Sequence, residues 1–371
     1  MSGIRYTRDF NLKSLSILTS KGVIDVRYIM TEMSIFEDLF SNVMSGYVML
    51  TESVGYAEFL NLNGSDYIYI DFDKDGTGNP KPIQGWFRIY KIDGRELAEN
   101  MSTETYRLHF CSEELFISEQ YKISKSYTSQ SIKDIVSDIC GKNGNGTGSD
   151  ATKTLKISKK LDMDDTKGLY SFIIPNLKPF DAINWLSVYA QPQSKYVGAD
   201  MLFYENRDGF HFKSLQNLMA GQNSSTVMTY EYSPKNLFGP TDGENLTEGI
   251  VNAFTYEILE SYDTLKNVAH GVFANRLISV DILTRKVKTT EFDYFKYQAE
   301  AGSLNKNKVI DNTINRHGDQ LNQTSNACLK LVFSNFDQHD PANAQRLSTG
   351  ISPTSGLPSV APNIDAEVYI P

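Results

Sequence analysis

Cysteine is scarce in this sequence, and long apolar runs are missing. Three cysteines occur among 371 residues, at Cys111, Cys140 and Cys328, and no two of them form a CxxC pair. This spacing indicates free thiols in a reducing cytoplasm rather than a disulfide framework or a thiolate metal site. No apolar run approaches the roughly 20 residues that cross a bilayer, and residues 1–10 lack the apolar core of a secretory signal. We therefore expect no membrane partner.

The sequence motifs of common active sites are missing as well. The chain has no GxSxG elbow and no HExxH pair, and its five histidines show no metal-ligand spacing. The glycine-rich run at residues 144–148 lacks the Lys-Ser/Thr of a phosphate loop, so a flexible linker is favoured there. We expect no catalytic residues, no cofactor and no enzyme activity.

Two acidic clusters are the remaining candidates for chemistry. The first, Asp71-Phe72-Asp73-Lys74-Asp75-Gly76, matches the first half of a calcium loop, in which alternate carboxylates converge on one cation. Its second half fails, because the twelfth position is Pro82 rather than glutamate and the eighth is Gly78. Asp71, Asp73 and Asp75 are thus a weak metal candidate, and a solvated hairpin loop is the favoured interpretation.

The second acidic cluster comprises Asp162, Asp164 and Asp165. Two of these could serve as the acid and base of a glycosidase, which needs carboxylates roughly 5–10 Å apart. A turn before a strand at Leu169 is the favoured interpretation.

Charge and aromatic content point towards an assembly protein. The chain carries 45 acidic and 36 basic residues, for a net charge of −9, and the basic residues are scattered. This balance disfavours stable nucleic-acid binding, although an acidic surface suits a conduit through which DNA passes. The 21 tyrosines and 20 phenylalanines are typical of β sheets and protein interfaces.

The hydrophobic pattern predicts a β domain over residues 1–122. Ile24, Val26 and Tyr28 alternate with polar residues, and the phase then changes so that Met33 and Ile35 continue on odd positions. A phase change within a strand-length run predicts a bulge or a sharply bent strand, as barrels require. Further strands are predicted at residues 47–50, 67–70, 86–92 and 106–110. We expect an antiparallel barrel or sandwich.

The period changes to that of a helix after residue 129, which begins a predicted α/β module over residues 123–230. Apolar residues recur at helical spacing over residues 132–140, with Ser129 or Ser131 as the cap and Gly141 as the stop. A second helix is predicted from Pro179, and a hairpin at residues 201–215 turns at residues 206–209.

Strand patterns return in the third predicted domain, residues 231–371. Strands are predicted at residues 227–230, just before this boundary, and at 251–259, 277–283 and 286–292, with a short helix whose apolar face includes Leu265 and Val268. From Ala299 the chain becomes polar and asparagine-rich. We expect a β domain that is incomplete at its C-terminal side.

Several stretches of this sequence resemble one protein family. They are Ile35–Phe40, Lys178–Leu186, Phe203–Phe212, and Tyr262–Val268 followed by Leu277–Asp281. In their order and spacing they resemble the baseplate hub proteins of contractile-tailed phages, which are relatives of the tube-like part of type VI secretion spikes.

The resemblance implies a fold that is mainly β, with two tube-type antiparallel β-barrels flanking an α/β module. It further implies a homotrimer that forms a pseudo-hexameric ring, joins the six-fold tail tube to the trimeric spike, and lines the channel for DNA. The implied partners are the tube protein, the spike protein and neighbouring baseplate wedge proteins. The implied location is the virion baseplate, after assembly in the host cytoplasm.

Two other functions remain open from the sequence. One is another tail component with a single tube barrel, such as a tube initiator or a spike adaptor. The other is a virion-associated glycan hydrolase, which would require a cleft with two converging carboxylates.

Overall fold

The computed structural model describes residues 11–60, 62–73, 81–97, 103–142, 154–194, 200–220, 231–232, 252–253, 257, 263–281, 285–296 and 328–333. Within these ranges the protein is mainly β, as the sequence pattern predicts. No helix in the described ranges is long and apolar enough to cross a membrane.

The first block is one antiparallel sheet of seven strands in the order β2-β1-β5-β6-β7-β4-β3. Its strands are β1 (Asn11–Thr19), β2 (Gly22–Asp25), β3 (Met30–Phe36), β4 (Ser45–Glu52), β5 (Tyr67–Asp73), β6 (Ile83–Leu97) and β7 (Glu104–Cys111), and a short helix α1 (Tyr56–Phe59) follows β4. The four strands predicted from alternation beyond residue 47 are confirmed.

Alternation places every second side chain of these strands on one buried face. The core of the sheet contains Leu15, Ile17, Val48, Leu50, Ile68, Ile70, Phe87, Ile89, Tyr106, Leu108 and Phe110. Gly46 lies where a side chain would collide with the Ser34 carbonyl and the Phe110 ring, so the absence of a Cβ allows β3 and β4 to approach.

The sheet must curl strongly, since its two edge strands, β2 and β3, are consecutive in the chain and their connection is short. β2 ends at Asp25 and β3 begins at Met30, so the connection reaches at most about 18 Å. A flat sheet of seven strands would separate its outer strands by about 29 Å. The Val26 N–H donates to the Leu15 carbonyl of β1. Three residues later, the Ile29 carbonyl accepts the N–H of Thr51, which lies in β4. The run of residues 22–36 therefore connects the two edge strands of the sheet.

The predicted phase change lies where the chain changes its pairing partner from β1 to β4. The register between β3 and β4 shifts between Met30 and Glu32, as a bulge would shift it. The prediction of a bulged or bent strand is thus confirmed, and its cause is that the run changes partner from β1 to β4.

The second block is a mixed α/β module. Its elements are α2 (Glu113–Gln120), β8 (Ser126–Gln130), α3 (Ile132–Ile139), β9 (Leu161–Met163), β10 (Tyr170–Ile173), α4 (Pro179–Ser187), β11 (Met201–Asn206), β12 (Gly209–Ser214) and α5 (Leu215–Ala220). β8 pairs with β10, β11 pairs with β12 as a hairpin, and β9 pairs in parallel with β12. Helices α3 and α4 pack with these strands around a second core that includes Ile135, Phe180 and Phe210.

The predicted helix ends are confirmed, and one choice is settled. The Ser131 side chain accepts a hydrogen bond from the Asp134 N–H, so Ser131 rather than Ser129 caps α3. Gly141 follows α3 with φ +78°, a conformation that suits glycine at a helix end. Pro179 begins α4.

The β11–β12 hairpin is tight because of Gly209. Its φ is +134°, and an added Cβ would collide with the Lys160 carbonyl, which accepts the Phe210 N–H at 2.8 Å. Glycine therefore serves both the turn and the close approach of the segment before β9.

The third block is described in part. It contains β13 (Glu231–Tyr232), β14 (Asn252–Ala253), α6 (Thr264–Ala269), β15 (Ala274–Asp281), β16 (Lys286–Asp293) and β17 (Cys328–Phe333). β15 pairs antiparallel with β16 and parallel with β17, which departs from the wholly antiparallel barrel that we expected. The described strands form one three-stranded sheet and one short pair, so the second barrel is not confirmed.

The short helix and two of the strands predicted for the third block are present. The helix corresponds to α6, but its apolar face is not a core face, because no residue of α6 is buried and Leu265 is 81% exposed. The strands predicted at residues 277–283 and 286–292 correspond to β15 and β16. The strand predicted at 227–230, and most of that at 251–259, lie outside the described residues. So does the linker predicted at 144–148. The domain boundaries remain predictions.

Candidate assembly surfaces

The curled sheet has two ends, and one of them is covered by the α/β module. At this end, which we call the junction end, β3 and β7 finish and β4 begins. The carboxylate of Glu205, on β11, accepts the Met44 N–H at 2.9 Å and pairs with the Lys159 ammonium. The Glu205 side chain is 0% exposed, so this contact is a buried, charge-assisted link between the two blocks.

The turn of the same hairpin makes a second link to the junction end. Arg207 donates through its guanidinium to Glu37 at 2.8 Å, and its backbone N–H donates to the same carboxylate at 2.7 Å. Asp208 lies 3.5 Å from the Lys81 ammonium. Burial by itself would raise the pKa of Glu37, but the hydrogen bonds and the charge of Arg207 together hold that pKa below its ordinary value, and the hydrogen bond to Glu37 raises the pKa of Arg207.

The two hydrophobic cores meet within two residues at this end. Val43 belongs to the core of the α/β module, whereas Met44 belongs to the core of the sheet. The Met44 carbonyl accepts the Ser112 N–H at 3.1 Å, and the Met44 N–H is held by Glu205. The backbone at Met44 is therefore fixed on both sides where the cores divide.

The opposite end of the sheet is organised by Glu52. Its buried carboxylate accepts the N–H groups of Val54, Tyr56 and Ala57 at 2.8–3.2 Å, together with the Tyr106 hydroxyl at 3.1 Å. These bonds fix the loop that contains α1. Among the described residues, the loop and its neighbours expose apolar side chains that include Val23, Val54, Phe59 and Leu97. We call this the apolar end.

The outer face of the sheet carries a row of aromatic rings. Phe36 lies 6.1 Å from Tyr47, Tyr47 lies 6.0 Å from His109, and His109 lies 6.0 Å from Tyr90, between ring centroids. The row crosses β3, β4, β7 and β6, and Arg107 stacks on Tyr47 at 4.6 Å. Tyr90 is exposed and Tyr47 is partly buried, and tyrosines with a nearby arginine are enriched in protein interfaces.

The weak metal candidate lies largely within a strand. Asp71 and Asp73 are in β5, where Gln84 donates to Asp71 at 3.4 Å and Lys13 lies 3.7 Å from Asp73. Asp75 lies outside the described residues. In the described part of the chain, no three histidine, cysteine or acidic side chains are grouped as a metal site would require.

The other acidic cluster serves the module's own structure. Asp162 lies in β9 rather than in the expected turn, because β9 pairs with β12, and it binds Lys213 at 2.8 Å. Asp164 accepts from the Ser214 N–H at 3.2 Å and from the Asn217 amide at 2.9 Å. Asp165 pairs with Lys133. Each carboxylate thus has a local partner.

The side chains that join the two blocks were not predicted from the sequence. Glu205 and Lys159 lie 46 residues apart, and Glu205 contacts Met44 across 161 residues. The available signal was an acidic residue within an aromatic strand pattern, Phe203-Tyr204-Glu205, since a buried acid needs a partner. The pattern does not identify that partner.

The known proteins to which this chain is similar include a phage baseplate hub protein, tail proteins and VgrG complexes. A curated relative is the probable baseplate hub protein gp334 of Vibrio phage KVP40, with 24% identity over 278 residues. The match covers 74% of this chain and 60% of that protein, so it spans less than two thirds of the relative's length. No family model matches the chain.

Solved structures with a similar outline include a tail protein and a VgrG complex. The tail protein from Neisseria meningitidis MC58 is 8% identical with a TM-score of 0.44, covering 90% of this chain and 74% of that one. A chain of the Francisella PdpA–VgrG complex is 12% identical with a TM-score of 0.42, covering 90% and 41%. Because these scores are below 0.5, the functional conclusion depends on the sequence match. That match confirms the resemblance to phage baseplate hub proteins.

Proposed function

We propose that this protein is a structural subunit of a phage baseplate hub and that three copies form a pseudo-hexameric adaptor between the six-fold tail tube and the trimeric spike. In this role it has no enzymatic activity, and its ring lines the channel through which DNA passes. It is assembled in the host cytoplasm and located in the virion tail.

The sequence match to a baseplate hub protein is the observation that carries this proposal. The curled sheet of residues 11–111 supports it, because a six-fold partner requires a β ring in each of its positions. Three chains supply six positions only if each chain contains two such rings. The proposal therefore also requires residues 231–371 to form a second ring.

A second candidate is a tail component with one tube barrel, such as a tube initiator or a spike adaptor. It is favoured by the third block, in which the described strands form a three-stranded sheet and a separate two-stranded pair, each with one parallel pairing. A high-resolution electron microscopy map of the assembled baseplate would distinguish the two candidates by the number of rings that each chain contributes.

The oligomeric state tests the hub proposal directly. Light scattering of the purified full chain, measured alone and with the spike protein of the same phage, should give either three times the chain mass of 41.8 kDa or the mass of three chains plus one spike trimer. A chain that stays monomeric at micromolar concentration in both conditions would contradict the trimer.

The absence of enzyme activity has its own test. The glycan hydrolase alternative predicts release of reducing sugar from host cell-wall or capsule glycans, and its loss when Asp162 and Asp164 are replaced by asparagine. We expect no release above a blank without protein. Release that depends on these two carboxylates would overturn the structural proposal.

A further inference from the structure

Arg107 lies within the aromatic row on the outer face of the sheet. Its guanidinium stacks on Tyr47, with 4.6 Å between the guanidinium carbon and the ring centroid. The row continues to Phe36 on one side, and through His109 to Tyr90 on the other. Stacking engages only the flat face of a guanidinium, whereas its N–H groups point outward in the plane and need hydrogen-bond acceptors. The row therefore presents a cation among aromatic rings.

The charge of Arg107 is not neutralised by an ion pair within the described ranges. Its Nε–H is buried without a hydrogen-bond partner, and no described carboxylate forms an ion pair with its guanidinium. Other arginines of the described chain do pair with a carboxylate, at 2.5–2.8 Å: Arg27, Arg95, Arg207 and Arg276. Because Arg107 is only partly buried, its outer Nη groups remain for a ligand. Two parallel N–H donors of this kind are what a carboxylate binds best.

The carboxylates that face the row are engaged elsewhere. Glu32 accepts the hydroxyl of the tyrosine on which Arg107 stacks. Asp93, opposite Arg107 across β6 and β7, accepts from His109 at 3.0 Å and pairs with Lys91. Both carboxylates also repel a polyanion, so a phosphate backbone is a poor occupant of this surface. A single, correctly placed carboxylate on a protein segment complements the charge better.

The two ends of the row are open to contact. Phe36 is 51% exposed and Tyr90 is 47% exposed. Tyrosine and arginine are enriched among the residues that dominate binding energy, particularly where surrounding contacts exclude water. A segment that covers both ends would exclude water from the Arg107 guanidinium between them. The ion pair formed there would then be stronger than one at an open surface.

We propose that Arg107 and the aromatic row form a docking surface for a segment of another protein chain. That segment places a carboxylate against the outer Nη groups of Arg107 and lays apolar side chains over Phe36 and Tyr90. The inference goes beyond the proposed function, because it requires neither the trimer nor the contact with the tube. It holds for either of the two tail roles considered above.

A photo-reactive side chain at each end of the row identifies what covers it. The full chain with Phe36→p-benzoylphenylalanine or Tyr90→p-benzoylphenylalanine is irradiated in cells that produce the phage, and the adducts are mapped by mass spectrometry. We expect both sites to cross-link to a second protein chain, in a peptide that contains aspartate or glutamate. Adducts only within the same chain, only with nucleic acid, or only with peptides that lack a carboxylate would overturn the proposal, as would the absence of adducts.

Arg107→Met tests the charge pair. The adduct yield should fall at least about tenfold, because the partner's carboxylate then loses its counter-ion in a buried place. Arg107→Lys keeps the charge but loses the fork that binds two oxygens, so its yield should lie between those of the native chain and Arg107→Met. Lys122→Met, at an exposed lysine of the α/β module, removes an equal charge and is the matched control.

The stability of the isolated chain separates docking from a structural role. Because Arg107 forms no ion pair within the described ranges, Arg107→Met should unfold at the same denaturant concentration as the native chain. Arg107→Glu combined with a lysine in place of the partner's cross-linked carboxylate should restore the adduct that Arg107→Glu alone abolishes. An unchanged yield in Arg107→Met, an equal fall in Lys122→Met, or no restoration by the exchanged charges would overturn the docking surface.

Discussion

Each end of the curled sheet is organised by one buried glutamate, but the two residues act over very different distances in sequence. Glu52 binds backbone N–H groups two, four and five residues further along the chain. Glu205 binds an N–H that lies 161 residues before it. Glu52 therefore shapes a loop of its own block, whereas Glu205 joins one block to the other.

The difference teaches how much of each end is covered by the chain itself. At the junction end, Val43 and Met44 are buried in the two cores, although Leu39 and Phe40 in the same loop are 40% and 76% exposed. At the apolar end, a rigid loop presents Val54 and Phe59, which are 68% and 65% exposed. An ordered loop with exposed apolar side chains loses little entropy when it binds, which suits an assembly surface.

The largest expected effect concerns Glu52. The Glu52→Ala variant removes the acceptor for three backbone N–H groups and the Tyr106 hydroxyl, and it leaves the Ala57 N–H and the Tyr106 hydroxyl without that acceptor in a buried place. We expect a loss of about 3–5 kcal/mol in the free energy of unfolding, measured by denaturant titration. Glu58→Ala, in the same loop but exposed, is the control, and an equal loss in both variants would show that Glu52 has no special role.

The next effect concerns the hairpin that reaches the junction end. Gly209→Ala places a Cβ against the Lys160 carbonyl at a positive φ, so the turn must shift. We expect a loss of about 1–3 kcal/mol and weaker hydrogen-exchange protection of the Met44 amide. Gly85→Ala is the control, because a Cβ there meets no atom within 4 Å. If Gly209→Ala lowered the stability without changing the hydrogen-exchange protection of the Met44 amide, the hairpin would not hold the junction end.

The local elements of this fold could be predicted from the sequence, and the contacts between them could not. The strands around Val48, a serine cap at residue 129 or 131, and the turn at Gly209 follow from periodicity and from the conformations that single residues favour. The pairing of Glu205 with Lys159 depends on how two separate blocks meet, and no periodicity records that. For the same reason, Asp162 was expected in a turn, whereas its strand exists only because β12 lies beside it.

A smaller effect is expected at the second link of the junction. Arg207→Ala removes the guanidinium pair with Glu37, in which both side chains are about 30% exposed, so solvent already weakens the attraction. We expect a loss of about 1 kcal/mol by denaturant titration, with the Met44 amide still protected. Arg276→Ala, which breaks a comparable pair with Glu291 in the third block, serves as the control. A loss as large as that of Glu52→Ala would mean that Arg207, and not Glu205, dominates the junction.

The smallest effect on stability is expected at the apolar end, where the effect on assembly should be the largest. Val54 and Phe59 are mostly solvated, so the double variant Val54→Ser/Phe59→Ser should change the free energy of unfolding by no more than about 0.5 kcal/mol for each residue. If this end docks onto another tail component, the same variant should lose incorporation into baseplates in a complementation assay. Leu265→Ser, at an equally exposed site on α6, is the matched control. Normal incorporation of the double variant would leave the aromatic row on the outer face, rather than the apolar end, as the assembly surface.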